Sequence, residues 1–163
     1  MNMPELKPGA LNGLRVVEMG QLIAGPFAGK TLGDFGADVI KIEPPKTGDP
    51  LRNWRKILDG TSVWWQVQSR NKRSIALDLK DPAQNAQARA LIAQSQVLIE
   101  NNRPGVMQRL GLGYEAMRAL NPALIYCSIS AYGQSGPRAQ EGGFDVTIQA
   151  VSGIMSVTGE AEG

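Results

Sequence analysis

Four segments of this chain carry groups able to bind or stabilise charge. Ala24-Gly25-Pro26-Phe27-Ala28-Gly29-Lys30-Thr31 fits the loose phosphate-loop pattern, a small residue, four of any kind, then Gly-Lys-Thr. In a working phosphate loop, successive amides wrap the β-phosphate and the lysine follows at the helix start. Here Pro26 has no N–H to give, Phe27 crowds the wrap, and residues 20–24 separate the preceding strand from Gly25. Pro26 suits the first turn of a helix instead, which carries Lys30 past the cradle. Two readings remain: a helix N-terminus at Ala24 and Gly25 that holds a phosphate or carboxylate, or a plain strand-to-helix turn. Asn71-Lys72-Arg73-Ser74 enters a strand and is read either as a phosphate grip or as a solvated strand end. Glu100-Asn101-Asn102-Arg103-Pro104-Gly105 leaves a strand, with Arg109 one helical turn later, at the edge where open parallel sheets bind ligands. Trp54, Trp64 and Trp65 can stack a flat ring or close a core, and the core reading is preferred.

Absences narrow the chemistry further. With no histidine, this chain contains no Ser-His or Cys-His couple and no imidazole ligand. Its single cysteine, Cys127, cannot form an internal disulfide or a zinc site, and reads as a buried, inert thiol in an apolar run. Catalysis must rest on carboxylates, Lys or Arg, hydroxyls, backbone amides or a bound cofactor. A formal net charge of +2 without a basic run gives no reason to expect nucleic acid. No apolar stretch approaches the ~20 residues of a membrane span, and residues 1–9 show no apolar signal region.

The elements that must position these groups alternate along the chain. Runs at 14–18, 38–43, 74–78, 97–100 and 124–130 predict strands, most of them brief and apolar as in strands covered on both faces. Helices are predicted over 26–35, over 81–93 with Asp81 as N-cap and Pro82 at the first position, and over 114–120. Strand and helix in alternation imply a parallel sheet of right-handed βαβ units, an α/β fold. Residues 44–60 and 131–143 read as long irregular loops, followed by an apolar helical pattern over 145–154. At 163 residues, with 19 Gly and 10 Pro, the composition fits one loop-rich domain.

Four longer segments, in this order, resemble the class III CoA-transferases, the family of formyl-CoA transferase and carnitine CoA-transferase. They are GLRVVEMGQLIAGPFAGKTLGDFGADVIKIEPPKTGDPLR, NKRSIALDLK, VLIENNRPGVMQRLGLGYEAMRALNPALIYCSISAYGQSGP and FDVTIQAVSGIMSVTG. The resemblance implies a Rossmann-like parallel sheet with flanking helices. Residues 1–13 would be an N-terminal tail and 14–163 the N-terminal portion of a large domain, the rest of that domain and a small domain being absent. It implies CoA transfer between an acyl-CoA and a carboxylic acid, in a cytoplasmic homodimer, with coenzyme A as substrate and no resident cofactor. In this chemistry an aspartate attacks the thioester carbonyl, giving a mixed anhydride and CoA thiolate. The thiolate attacks the aspartyl carbonyl, and the aspartyl-CoA thioester is exchanged onto the acceptor acid. The family's aspartate follows shortly after the match to Val157-Thr158-Gly159, and no aspartate follows Asp145 here. The nucleophile is therefore expected beyond Gly163, no catalytic residue is assigned within the chain, and the chain reads as a fragment inactive alone. An alternative is a non-catalytic remnant that at most binds CoA. An α-methylacyl-CoA racemase is less favoured, because its histidine would stand at Phe144, as is a phosphate-loop nucleotide binder.

The resemblance carries CoA-binding roles onto particular positions. Ile23 and Ala24 match a loop along the pantetheine and nucleotide. Leu77, Asp78, Leu79 and Lys80 match the stretch flanking the adenine. Asn101, Asn102 and Arg103 match a loop near the CoA that often has an aromatic at the Asn102 position. Arg109 matches an arginine that meets the CoA phosphates, and Phe144 and Asp145 border the thioester end. One phosphate-binding arginine of the pattern is replaced here by Pro44, with Lys41 or Lys46 as candidate substitutes.

Overall fold

The runs at 15–18, 38–43 and 97–100, rich in Val and Ile, line up in parallel and are covered from both sides, whereas the parallel strands at 72–76 and 125–128 on either side of them stay partly exposed. The computed structural model describes residues 9–160 and divides into two compact units, one ending at Ile129 and the other starting at Ser130. Two expectations from the sequence fall on the boundaries of that range. Most of the N-terminal tail, residues 1–8, lies outside the described residues, and so does Gly163, beyond which the nucleophilic aspartate is expected. The first unit runs β1 (Arg15–Glu18), α1 (Ala24–Asp34) and β2 (Asp38–Glu43), then a 3₁₀ turn (Pro50–Asn53). A two-stranded hairpin, β3 (Ile57–Leu58) and β4 (Thr61–Ser62), leads into α2 (Val63–Gln68). There follow β5 (Lys72–Ala76), α3 (Pro82–Ala93), β6 (Val97–Glu100), α4 (Val106–Arg109), α5 (Tyr114–Leu120) and β7 (Ile125–Ser128). The main sheet is all parallel in the order β5-β2-β1-β6-β7. The order reverses between β1 and β6, and the carboxyl ends of the strands at such a switch point are where open parallel sheets bind ligands.

Side chains alternate across this sheet. Val17, Ile42 and Leu98 join Ala88 and Ile92 of α3 and Met117 of α5 in one core, whereas Val16, Val39, Val97 and Ile99 pack with Ala28 and Leu32 of α1 in the other. The predicted α3 forms as read, with the Asp81 carboxylate accepting from the Gln84 amide at 2.9 Å and Pro82 in the first turn. Helix α1 begins two residues earlier than predicted. Pro26 still fits, because the N–H it lacks belongs to the first turn, where no intrahelical acceptor exists.

The second unit holds α6 (Asp145–Val151) and a 3₁₀ turn (Ile154–Val157), joined at Gly153 with φ 80°. Residues 131–143 form neither helix nor strand, as read. Among the described residues no helix is long and apolar enough to cross a membrane.

Candidate functional site

Two loops meet at the switch point. The first, Gly20 to Ile23, follows β1. The second, Asn101 to Gly105, follows β6. Asn101 joins them: its Oδ1 accepts from the Gln21 amide at 2.7 Å and its Nδ2 donates to the Gln21 carbonyl at 3.0 Å. The side-chain amide thus completes both main-chain groups of one residue, as a neighbouring strand would. Gly20 and Gly25 are required here, since a Cβ on Gly20 would lie 2.6 Å from the Gly25 Cα. No side chain caps α1, whose N-cap is Ile23, so its first-turn amides receive no bond from that residue. Ile23 is half-buried and Ala24 exposed. On the second loop, the Asn102 amide donates to the buried Glu100 carboxylate at 2.7 Å, and Glu100 also accepts from the Ser128 hydroxyl. The Asn102 side chain lies 3.5 Å from the Met107 sulfur, and Arg103 is exposed.

A cavity of about 490 Å³ is lined by Leu79, Lys80, Pro82, Asn85, Arg109 and Leu110. That volume lies within the ~300–1,000 Å³ of small-molecule sites. Three of the residues singled out in the sequence, Leu79, Lys80 and Arg109, are therefore brought together from opposite sides of α3. Asn85, which the sequence reading passed over, holds the cavity in shape: its amide nitrogen donates to the Leu79 and Leu110 carbonyls, each at 2.9 Å. A lone Asn in an Ala- and Gln-rich helix was the available signal. Asp78 shapes the rim, its amide donating to Gln84 and its carboxylate accepting from the Lys80 amide. Leu77 is buried in the core beneath this loop. Phe144 and Asp145 lie in the second unit, where Phe144 is 76% exposed and the Asp145 carboxylate accepts from Gln149 at 2.6 Å.

Beneath the first loop lies a buried ionic network that sequence reading missed. Glu18 is fully buried between two ammonium groups, Lys41 Nζ and Lys72 Nζ, each at 2.7 Å. Lys41 also contacts the Asp49 carboxylate at 2.9 Å and donates to the Gly20 carbonyl at 2.7 Å. Lys72 donates to the Pro26 carbonyl at 2.6 Å. Burial pushes the Lys72 pKa down, partly offset by Glu18. Asp49 Oδ1 accepts from the Leu22 amide at 3.0 Å and the Leu51 amide at 2.9 Å. Glu43 receives Asp49's own amide at 2.8 Å, the Arg52 guanidinium and the Ser74 hydroxyl. Burial would push the Glu43 carboxyl up, but these donors outweigh it and hold its pKa at about 2. Gly29 leaves room for the network, since a Cβ there would lie 3.0 Å from Glu18 Oε2.

Two expectations are corrected by these contacts, and one open alternative is decided. Lys41 cannot stand in for the missing phosphate-binding arginine, because it is 1% exposed and held by two carboxylates. Residues 71–74 are no phosphate grip: Asn71 bonds Asp34, Lys72 bonds Glu18, Arg73 bonds Asp38 and Ser74 bonds Glu43. The tryptophans do not close a core. Trp54 meets Trp64 edge-on at 5.5 Å, while Arg55 covers Trp54 and Arg52 covers Trp65, in a surface cluster. Lys30 lies inside α1, 3.0 Å from Asp34, as its distance from a phosphate cradle implied. Cys127 is half-buried against the α1-side core.

The model of CoA-transferase family III matches residues 11–163. The chain is 45% identical, over 153 residues, to the succinyl-CoA–D-citramalate CoA-transferase of Chloroflexus aurantiacus, a match covering 93% of this chain and 38% of that protein. It is 43% identical to the succinyl-CoA:glutarate CoA-transferase of Homo sapiens, over 99% of this chain and 37% of the relative. A crystal structure of a CAIB/BAIF family protein from Brucella suis superposes with a TM-score of 0.90 at 41% identity, covering 96% of this chain and 43% of that one. The chain thus spans about two fifths of the length of the relatives it matches.

Proposed function

This chain belongs to CoA-transferase family III, and from that membership we propose that it provides the CoA-binding edge for transfer of CoA from an acyl-CoA to a carboxylic acid. The observation that carries this reading is the basic cavity in which Lys80 and Arg109 face one space across Asn85. An ammonium and a guanidinium lining one open cavity together with Leu79, Pro82 and Leu110 suit a phosphorylated nucleotide, which is the adenine end of CoA. The pantetheine would then run toward the switch point and the α1 N-terminus at Ile23 and Ala24. Asn102 and Arg103 border that path, and Asn101 fixes it from behind. Phe144 and Asp145 are assigned to the thioester end through the family pattern alone.

The reaction requires a carboxylate nucleophile and donors for the carbonyl oxygens as negative charge develops, but no imidazole. In the family pattern the nucleophilic aspartate follows the match to Thr158 and Gly159, which places it beyond Gly163 and outside this sequence. Coenzyme A is substrate, and the proposed chemistry uses no resident cofactor. The proposed setting is a homodimer in the cytoplasm. The absence of histidine from this chain weighs against the racemase branch, whose base would stand at Phe144.

Calorimetry of the chain with CoA tests this reading. Arg109→Ala and Lys80→Ala should each weaken CoA binding about tenfold, since a charge-assisted phosphate contact is worth roughly 1.5–3 kcal/mol. Dephospho-CoA should bind more weakly than CoA. Equal affinities for Arg109→Ala and for Arg55→Ala, which alters only the tryptophan cluster, would remove the cavity from the site.

A further inference from the structure

The loop after β1 is held in an unfavourable shape from outside itself. Leu22 has φ 60°, the left-handed region that disfavours a branched residue carrying a Cβ. Nothing in the Leu22 side chain rewards that conformation, so the surroundings must impose it. Four groups remote in sequence do so. The Lys41 ammonium takes the Gly20 carbonyl, Asn101 takes both main-chain groups of Gln21, Asp49 takes the Leu22 amide and Lys72 takes the Pro26 carbonyl. Three of the four are tied to one another through Glu18, because Lys41 and Lys72 share its carboxylate and Asp49 contacts Lys41. Asn101 stands apart from this set.

We propose that Asp49, backed by Lys41 and Glu18, is a positioning residue that holds Leu22 left-handed and so aims the Ile23 and Ala24 amides at the ligand. The inference rests on the CoA-binding reading for the direction of those amides, but not for the clamp itself. Asp49 is buried and acts through the loop, not on the ligand. Its Oδ1 supplies the acceptor for Leu22, and its carboxylate charge is balanced by Lys41. The two functions are separable by substitution. Asp49→Asn keeps an oxygen for the Leu22 amide and discards the charge, whereas Asp49→Ala discards both. Leu22→Gly removes the penalty of the left-handed conformation without supplying a partner.

The experiment combines amide hydrogen exchange at Leu22, CoA titration and denaturant unfolding of the full chain. Asp49→Ala should speed Leu22 exchange and weaken CoA about tenfold, the scale of a left-handed penalty no longer compensated. Asp49→Asn should retain most of the Leu22 protection and most of the affinity while losing stability. Adding Leu22→Gly to Asp49→Ala should recover much of the affinity but none of the unfolding midpoint. A merely structural Asp49 would show affinity and stability falling and recovering together, which would overturn the proposal. Unchanged Leu22 exchange in Asp49→Ala would overturn it as well. If the wild-type chain binds no CoA, the function reading fails, and the clamp is then decided by the exchange data alone.

Discussion

The two faces of the main sheet solve burial in different ways. On the face under α3 and α5 the covered residues are apolar from Val17 and Leu98 to Ile92 and Met117, with the single carboxylate of Glu100 at the carboxyl end of β6. On the face under α1 the apolar contacts of Val16, Val39 and Ile99 give way, toward the carboxyl ends of the strands, to Glu18, Lys41 and Glu43. An apolar face is stabilised by area and tolerates approximate geometry. A buried ionic face requires every charge to be met, and it fixes atoms at particular distances. The ionic half lies under the loop that must hold a defined backbone, whereas the apolar half lies under helices that need only be held down.

The largest effect should come from removing the hub of the ionic face. Glu18→Ala leaves the Lys41 and Lys72 ammonium groups buried without their shared carboxylate, and breaking a buried pair from one side costs about 3–5 kcal/mol. Urea unfolding should report that loss, with faster amide exchange across residues 20–25. A variant as stable as wild type would mean that the two lysines find water, and that this face is not sealed.

A somewhat smaller loss, about 3 kcal/mol, is expected from Ile92→Ala on the apolar face, where a fully buried side chain leaves a cavity. The contrast lies in where the loss is felt. Ile92→Ala should lower the unfolding midpoint while leaving Leu22 exchange, measured under native conditions, close to wild type. Equal disturbance of the loop by both variants would dissolve the distinction between the faces.

Much of the architecture was legible because its signals are local. The cores of β1, β2 and β6, the Asp81 cap of α3 and the helices read over 26–35 and 114–120 depend on neighbouring residues. The hairpin of β3 and β4 and the helices α2 and α4 were missed, since elements of two to six residues complete too little of a period to register. Strand β5 starts at Lys72, two residues ahead of the predicted start. The reason is remote: Lys72 pairs in register with Val39 and its ammonium is received by Glu18. The same remoteness hid the network. Lys41 and Glu43 inside an apolar strand were visible as charges that need partners, but Asp49 and Lys72 could be matched to them only once the strands were paired. Arg109 and Lys80 were placed by resemblance, and their meeting across Asn85 became visible only with α3 in place.

The smallest of the expected effects separates the two faces by pH. Glu43 holds the Asp49 amide, the Arg52 guanidinium and the Ser74 hydroxyl, and its pKa falls from 4.5 to about 2. A carboxyl whose folded pKa is depressed binds its proton more readily in the unfolded chain, so its contribution is fully present above about pH 4.5. That contribution is lost as pH falls from about 4.5 through about 2. Discounted for the partly exposed Arg52, it is on the order of 2 kcal/mol. Because Glu43 holds Asp49, acid should also loosen the Leu22 clamp before the apolar face yields. Urea unfolding between pH 2 and 7 should show a steeper acid decline for the wild type than for Glu43→Gln, which cannot titrate there. Leu22 exchange, corrected for its intrinsic pH dependence, should accelerate over the same window in the wild type. Parallel acid declines for the two proteins would show that Glu43 contributes no pH-dependent stability, and that the ionic face is as indifferent to acid as the apolar one.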